Sequence, residues 1–145
     1  MRITKLCPED FDRLKCQKKM AYINADMPAE LKQAFAMQEH SYTFWDSEGK
    51  ALSCFGIVDL QGGRGEMWSV MHESCGSAFV GVCRAGKALL DAAPFQRVEA
   101  VVDCDFEESH RLVKLLGFEL ETPVMRSYRE NGKDCSMYVR IKQWQ

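Results

Sequence analysis

The chain has 145 residues, 46% of them apolar and 28% charged, a size and balance that suit one folded domain over residues 1–145 and exclude a long disordered tail. Its formal charge of -2 argues against sequence-independent attraction to phosphate backbones, which takes a clustered basic face, so no nucleic-acid partner is expected. No run approaches the roughly 18 apolar residues that cross a bilayer, and Met1 to Leu6 lack a secretory core, so no membrane partner and a cytoplasmic location are expected.

After an apolar stretch at residues 2–6, Pro8-Glu9-Asp10 places a proline and two acids where a first helical turn favours them. This predicts a helix to about residue 21, with Phe11, Leu14 and Ala21 on one stripe. A second helix is predicted after Asp26, with Pro28 in its first turn and Leu31, Ala34 and Phe35 facing inward. Residues 41–45 and 51–58 flank Asp46-Ser47-Glu48-Gly49-Lys50 and read as an antiparallel pair. Gln61-Gly62-Gly63-Arg64-Gly65 then turns into a third strand, residues 66–71. That turn lacks the Gly-Lys-Ser/Thr ending of a phosphate loop, so a hairpin turn is expected.

Residues 77–93 carry helical periodicity through Phe79, Val82, Cys83, Leu89 and Leu90, with Pro94 at the exit. Gly81 and Gly86 weaken this helix by roughly 1 kcal/mol each relative to alanine. Residues 98–102 form a strand, and Asp105 with Glu108 reads as the capped start of a helix that ends at Gly117. Residues 118–128 and 134–141 close the chain as a hairpin turning at Asn131-Gly132. The seven cysteines are scattered without a Cys-x-x-Cys pair, as expected of reduced, mostly buried thiols. His72-x-x-Cys75 lacks a second matched pair, so no metal is expected.

The order of elements is strand, two helices, three strands, helix, strand, helix, two strands, which predicts an α+β fold with a mixed sheet and helices on both faces. Within it, Leu112-Val113-Lys114-Leu115-Leu116-Gly117-Phe118-Glu119 is the most specific segment. Ile3 to Asp10, the Asp46 to Lys50 turn and the closing turn before Tyr138 support it. In this order and spacing the chain resembles the GNAT-type N-acetyltransferases over nearly its whole length. The resemblance implies a mostly antiparallel central sheet of about six to seven strands. Phe79, Arg84, Leu89 and Leu90, followed by His110, Arg111, Leu115, Gly117 and Phe118, are similar to residues of short phage-encoded GNAT-like proteins.

The resemblance also implies acetyl-CoA as cosubstrate between splayed fourth and fifth strands, with its pyrophosphate on N–H groups at the start of the following helix. The family's Gln/Arg-x-x-Gly-x-Gly/Ala motif falls on Glu73 to Ala78, making Cys75, Gly76, Ser77 and Ala78 the candidate cofactor-binding residues. The bland reading of the segment is a tight strand-to-helix turn. Glu73 departs from the motif: a carboxylate about 4 Å from a phosphate oxygen repels it by roughly 4 kcal/mol at an effective dielectric of 20. The alternatives are that Glu73 points away, or that Arg84, about two turns further on, compensates where the cofactor reaches across it. The family's helix tyrosine falls on Val113 and its asparagine on Phe106, so two polar groups are missing.

Glu66, His72 and Asp103 are therefore the candidates for acid–base work, each with an ordinary alternative as a turn or capping residue. Cys75 lies where a helix entrance stabilises a thiolate, but no histidine partner can be assigned to it. Two functions follow. One is an acyl-CoA-dependent N-acyltransferase acting on an amine of a small molecule or protein. The other is a non-catalytic GNAT-like binding or phage accessory protein that engages a macromolecular partner. For the second, Trp45, Tyr138 and Trp144 are candidate interface aromatics, although core packing is their usual role; a homodimer fits either function.

Overall fold

The computed structural model describes residues 1–15 and 27–142. In chain order its elements are β1 (Arg2–Lys5), a 3-10 turn (Pro8–Arg13), α1 (Ala29–Met37), β2 (His40–Trp45), β3 (Ala51–Gln61) and β4 (Arg64–Met71). There follow a 3-10 turn (Gly76–Ala78), α2 (Phe79–Ala92), β5 (Arg97–Asp103), α3 (Glu107–Leu115), β6 (Glu119–Met125) and β7 (Cys135–Ile141). The strands make one seven-stranded sheet in the order β1-β2-β3-β4-β5-β7-β6. The β1–β2, β2–β3, β5–β7 and β6–β7 pairs are antiparallel, whereas β4–β5 is parallel. This is the expected α+β arrangement. Among the described residues no helix is long and apolar enough to cross a membrane.

The chain forms two compact units. The first comprises Met1–Val58 and Trp68–Gly86, and its core is built on Phe11, Phe44, Ile57 and Val70. Buried Asp10 accepts hydrogen bonds from Thr43 Oγ1 at 2.7 Å and from the Cys7 N–H at 3.0 Å, which fastens the first 3-10 turn to β2. The helix expected from Pro8 takes this tighter form, and Leu14 is already extended at φ -92°. A 3-10 turn stacks residues three apart on one side, which suits Phe11 and Leu14, both buried. The rest of that expected helix lies outside the described residues.

In α1 only Phe35 of the three expected inward residues is half-buried; Leu31 and Ala34 are exposed. Phe35 meets the Trp68 ring at 4.7 Å, and Phe11 stacks on the same ring at 5.6 Å. Gly56 makes room for that indole, because a Cβ there would stand 2.7 Å from three of its ring atoms. Trp45 is buried and its Nε1–H donates to Thr4 Oγ1 at 2.8 Å. It belongs to the interior, as does buried Tyr138, while Trp144 lies outside the described residues.

The second unit comprises Asp59–Met67 and Lys87–Gln145. Val98, Ala100 and Val102 on β5 alternate into a core shared with Leu112, Val113 and Leu116 of the α3 segment. Gly117, at φ +94°, ends that segment as expected of a left-handed cap. Its start differs from expectation: Phe106, not Asp105, occupies the N-cap position and makes no side-chain cap. Burial of the Phe106 ring sets the entry, and Asp105 pairs with Lys133 at 3.3 Å. In the last hairpin Gly132 takes φ +82°. Asn131 contributes its Oδ1, which accepts the Lys133 N–H at 3.1 Å.

Candidate active site

The turn from β4 to α2 is built from hydrogen bonds that cross three parts of the first unit. The His72 N–H donates to Leu52 O at 2.8 Å and the Glu73 N–H to Lys15 O at 2.7 Å. His72 Nδ1 accepts the Ser74 N–H at 3.1 Å and lies 3.0 Å from Ser74 Oγ. Accepting through Nδ1 leaves the imidazole neutral with its proton on Nε2. Burial also holds the His72 pKa below its ordinary value, as do Lys50 and, more weakly, Lys15, against an opposing pull from Glu73.

Lys50 reaches the same turn from the β2–β3 hairpin and donates to Ser74 Oγ at 2.6 Å. Its backbone is fixed by Asp46, whose Oδ1 accepts the N–H groups of Glu48 and Lys50 at 2.8 Å each. The Cys75 N–H donates to His72 O at 3.1 Å and the Ala78 N–H to Cys75 O at 3.0 Å. The N–H groups of Gly76 and Ser77 find no acceptor among the described residues, and Gly76 adopts φ +52°. The turn thus offers two unused backbone donors at a helix entrance, a place whose dipole favours an anion.

The charge of Glu73 has a compensating neighbour. Its carboxylate lies 3.1 Å from Lys15 Nζ, so Lys15 and Lys50 both stand as cations beside this turn. Cys75 is buried, and burial pushes its thiol pKa up despite the nearby Lys50. Desolvation therefore outweighs the helix entrance and favours the neutral thiol.

In the second unit, β4 and β5 pair over Arg64–Arg97, Gly65–Val98 and Glu66–Glu99. Residues in register share a face, which brings Glu66 beside Glu99. Glu99 is buried, a penalty on its charge, yet hydrogen bonds from Arg97 and Arg64 hold its carboxyl below the ordinary range. Glu66 is half-buried, and its side chain makes no hydrogen bond or ion pair with any described residue. Burial raises its pKa, Glu99 raises it further, and Arg129 opposes both. Asp103 sits buried at the end of β5, where its Oδ1 accepts Arg129 Nε–H at 3.0 Å and the Cys135 Sγ–H at 3.5 Å. Cys135 is correspondingly pushed up to about 11, chiefly by burial.

Solved acetyltransferases share this architecture. A structure solved as a candidate phosphinothricin N-acetyltransferase matches with a TM-score of 0.78 at 11% identity over 99% of both chains. Ard1 from Thermoplasma volcanium gives 0.77 at 15% identity, over 99% of this chain and 98% of that one. The fold is that of the GNAT acetyltransferases. A GNAT-family acetyltransferase from Bacillus anthracis also matches, at 0.70 and 14% identity over 96% and 93% of the two chains. No protein-family profile matches the chain, and no curated protein matches it in sequence. At such identities the GNAT likeness fixes the fold and leaves the chemistry to the residues.

Among those residues, Val113 and Phe106 are both buried and offer no polar atom where the resemblance leads to tyrosine and asparagine. One turn before Val113, His110 Nδ1 lies 2.7 Å from Tyr138 Oη and its Nε2 lies 3.1 Å from Cys104 O. A carbonyl only accepts, so Nε2 carries the proton and the Tyr138 hydroxyl donates to Nδ1. Both ring nitrogens are thereby engaged. Burial, then Cys104, raises the Tyr138 pKa.

The fold gathers His72, Cys75, Gly76, Ser77 and Ala78 into one turn. Glu66 and Asp103 both lie in the second unit, where Arg129 pairs with Asp103 and its charge also acts on Glu66. Lys15, Lys50, Arg64, Arg97 and Arg129 were missed from sequence because each meets its partner only through the fold, except that Arg97 also lies two residues from Glu99.

Proposed function

We propose that this chain is an acyl-CoA-dependent N-acyltransferase that moves an acetyl group from acetyl-CoA to an amine of a small molecule or protein. The observation that carries the reading is the β4–α2 turn, where Gly76 and Ser77 present acceptor-free N–H groups within a GNAT fold. Lys50 adds a cation beside them, and Lys15 offsets Glu73. This donor set suits a pyrophosphate. When bound, acetyl-CoA supplies a thioester whose acyl carbon exchanges its bond to sulfur for one to the acceptor nitrogen.

The remaining work falls to side chains. Glu66 takes the proton that an acceptor ammonium must lose before its lone pair is available, and a raised pKa suits a base near neutral pH. His72 holds Ser74, and with it Lys50, in place through Nδ1. Asp103 anchors Arg129 rather than moving protons. We place the protein in the cytoplasm, in keeping with six described cysteines that are all free thiols.

A second reading is supported by buried Val113 and Phe106: a GNAT-like binding or phage accessory protein that has lost transfer chemistry. Calorimetric titration with acetyl-CoA, followed by thiol release in the presence of primary amines, separates the two. Binding with amine-dependent thiol release is the result expected. Binding without release by any amine would favour the second reading, and no binding at millimolar acetyl-CoA would overturn the first.

A further inference from the structure

The parallel β4–β5 pairing sets like charges opposite each other twice, Arg64 against Arg97 and Glu66 against Glu99. Directly opposed like charges destabilise paired strands. The fold relieves the arrangement on a diagonal. Glu99 Oε1 accepts from Arg64 Nε at 3.2 Å, from Arg64 Nη2 at 3.0 Å and from Arg97 Nε at 3.0 Å. Arg97 turns its other two nitrogens to Glu121 on β6, at 2.9 and 2.7 Å, in a forked pair. Both guanidiniums are committed to other carboxylates, and Glu66 is left over.

We infer that Arg64 and Arg97 are positioning residues for acyl transfer: by keeping Glu99 ionised and occupied, they leave Glu66 as the carboxylate free to take the acceptor's proton. The inference rests on the N-acyltransferase reading. In the proton step the acceptor R–NH3+ gives one proton to the Glu66 carboxylate, yielding R–NH2 and a neutral carboxyl. Glu66 faces Glu99 on β5 and Arg129 in the β6–β7 connection, besides Arg64 on its own strand. Without the guanidiniums, the Glu99 charge would act on Glu66 uncompensated and raise its affinity for a proton, as closely spaced acids do. The base would then be occupied at the pH where it is needed.

The test is a carbon-13 NMR titration of the Glu66 carboxyl in protein free of acyl-CoA and acceptor. Arg64→Gln, which loses contacts to Glu99 alone, and Arg97→Gln should each raise the Glu66 midpoint by about half a pH unit or more. Glu99→Gln should lower it, and Arg97→Gln/Glu99→Gln should fall between the two single variants, a rescue that mere loss of structure would not produce. The acid limb of kcat/KM should move with the NMR midpoint while acetyl-CoA affinity holds. Coincident midpoints in all proteins would overturn the positioning role. Shifted midpoints in a protein that transfers no acyl group would retain the electrostatic coupling and reject its catalytic use, so the two failures are distinguishable.

Discussion

The β4–α2 turn and the β4–β5 face solve opposite electrostatic problems. At the turn, the groups suited to an anion are backbone N–H donors of Gly76 and Ser77, with a lysine brought in from a neighbouring hairpin. On the strands, Glu66, the proposed base, makes no side-chain hydrogen bond or ion pair with a described residue, while Glu99 and Asp103 are engaged by arginines. A turn can be made receptive by leaving main-chain donors unused, because peptide groups cannot change charge. A base must instead be kept ionisable, and only surrounding charges can set that.

The comparison breaks most visibly at Glu66. Glu66→Gln should lower the acylation rate by about 10²–10⁴-fold and leave acetyl-CoA affinity unchanged, read by initial rates and calorimetry on the same protein. In the wild type, kcat/KM should fall as pH drops through a midpoint above that of an ordinary glutamate, since only the carboxylate can take the proton. Stability runs the other way. A carboxyl whose pKa is raised by folding stabilises the fold fully at pH below its unfolded value, and that contribution is lost as pH rises through the folded value. Glu66→Gln should therefore raise Tm at neutral pH, on the order of 1–3 °C, and the gain should vanish below about pH 4.

The next largest effect tests how β4 is seated. Gly56→Ala puts a methyl 2.7 Å from the Trp68 indole, and overpacking of this kind costs about 1–3 kcal/mol, measured by urea unfolding. Lys50→Ala should weaken acetyl-CoA about tenfold at low salt and less at high salt, because an exposed cation is screened. Glu73→Gln should be the mildest, changing acetyl-CoA affinity by less than about threefold, since its exposed carboxylate is engaged by Lys15 and such pairs contribute little.

The sequence was legible where structure is local. Gly117 ends its helix at positive φ, the Asp46 to Lys50 segment makes the expected hairpin turn, and Gly76 bends the entrance of α2. Misreadings arose where tertiary burial overrode a local signal. Asp105 had the right chemistry for a cap, but burial of Phe106 set the helix start one residue later. Pro8-Glu9-Asp10 does open a helical turn, yet it is 3-10, with Asp10 turned inward to Thr43. The candidate site was legible in half: the motif register found the turn, whereas Lys15 lies 58 residues from Glu73 and nothing local links them. Glu66 could be named from sequence, but its lack of partners emerges only from the strand register that gives both arginines to other acids.

The most direct test of the account is a single-turnover reaction of wild type and Glu66→Gln, each preloaded with acetyl-CoA and mixed with a panel of primary amines, followed by mass spectrometry. The account predicts acylated amine and free thiol in equal amounts from the wild type, with the variant equally loaded but slower by about 100-fold or more. Equal rates for the two proteins, or thiol release without acylated amine, would contradict it.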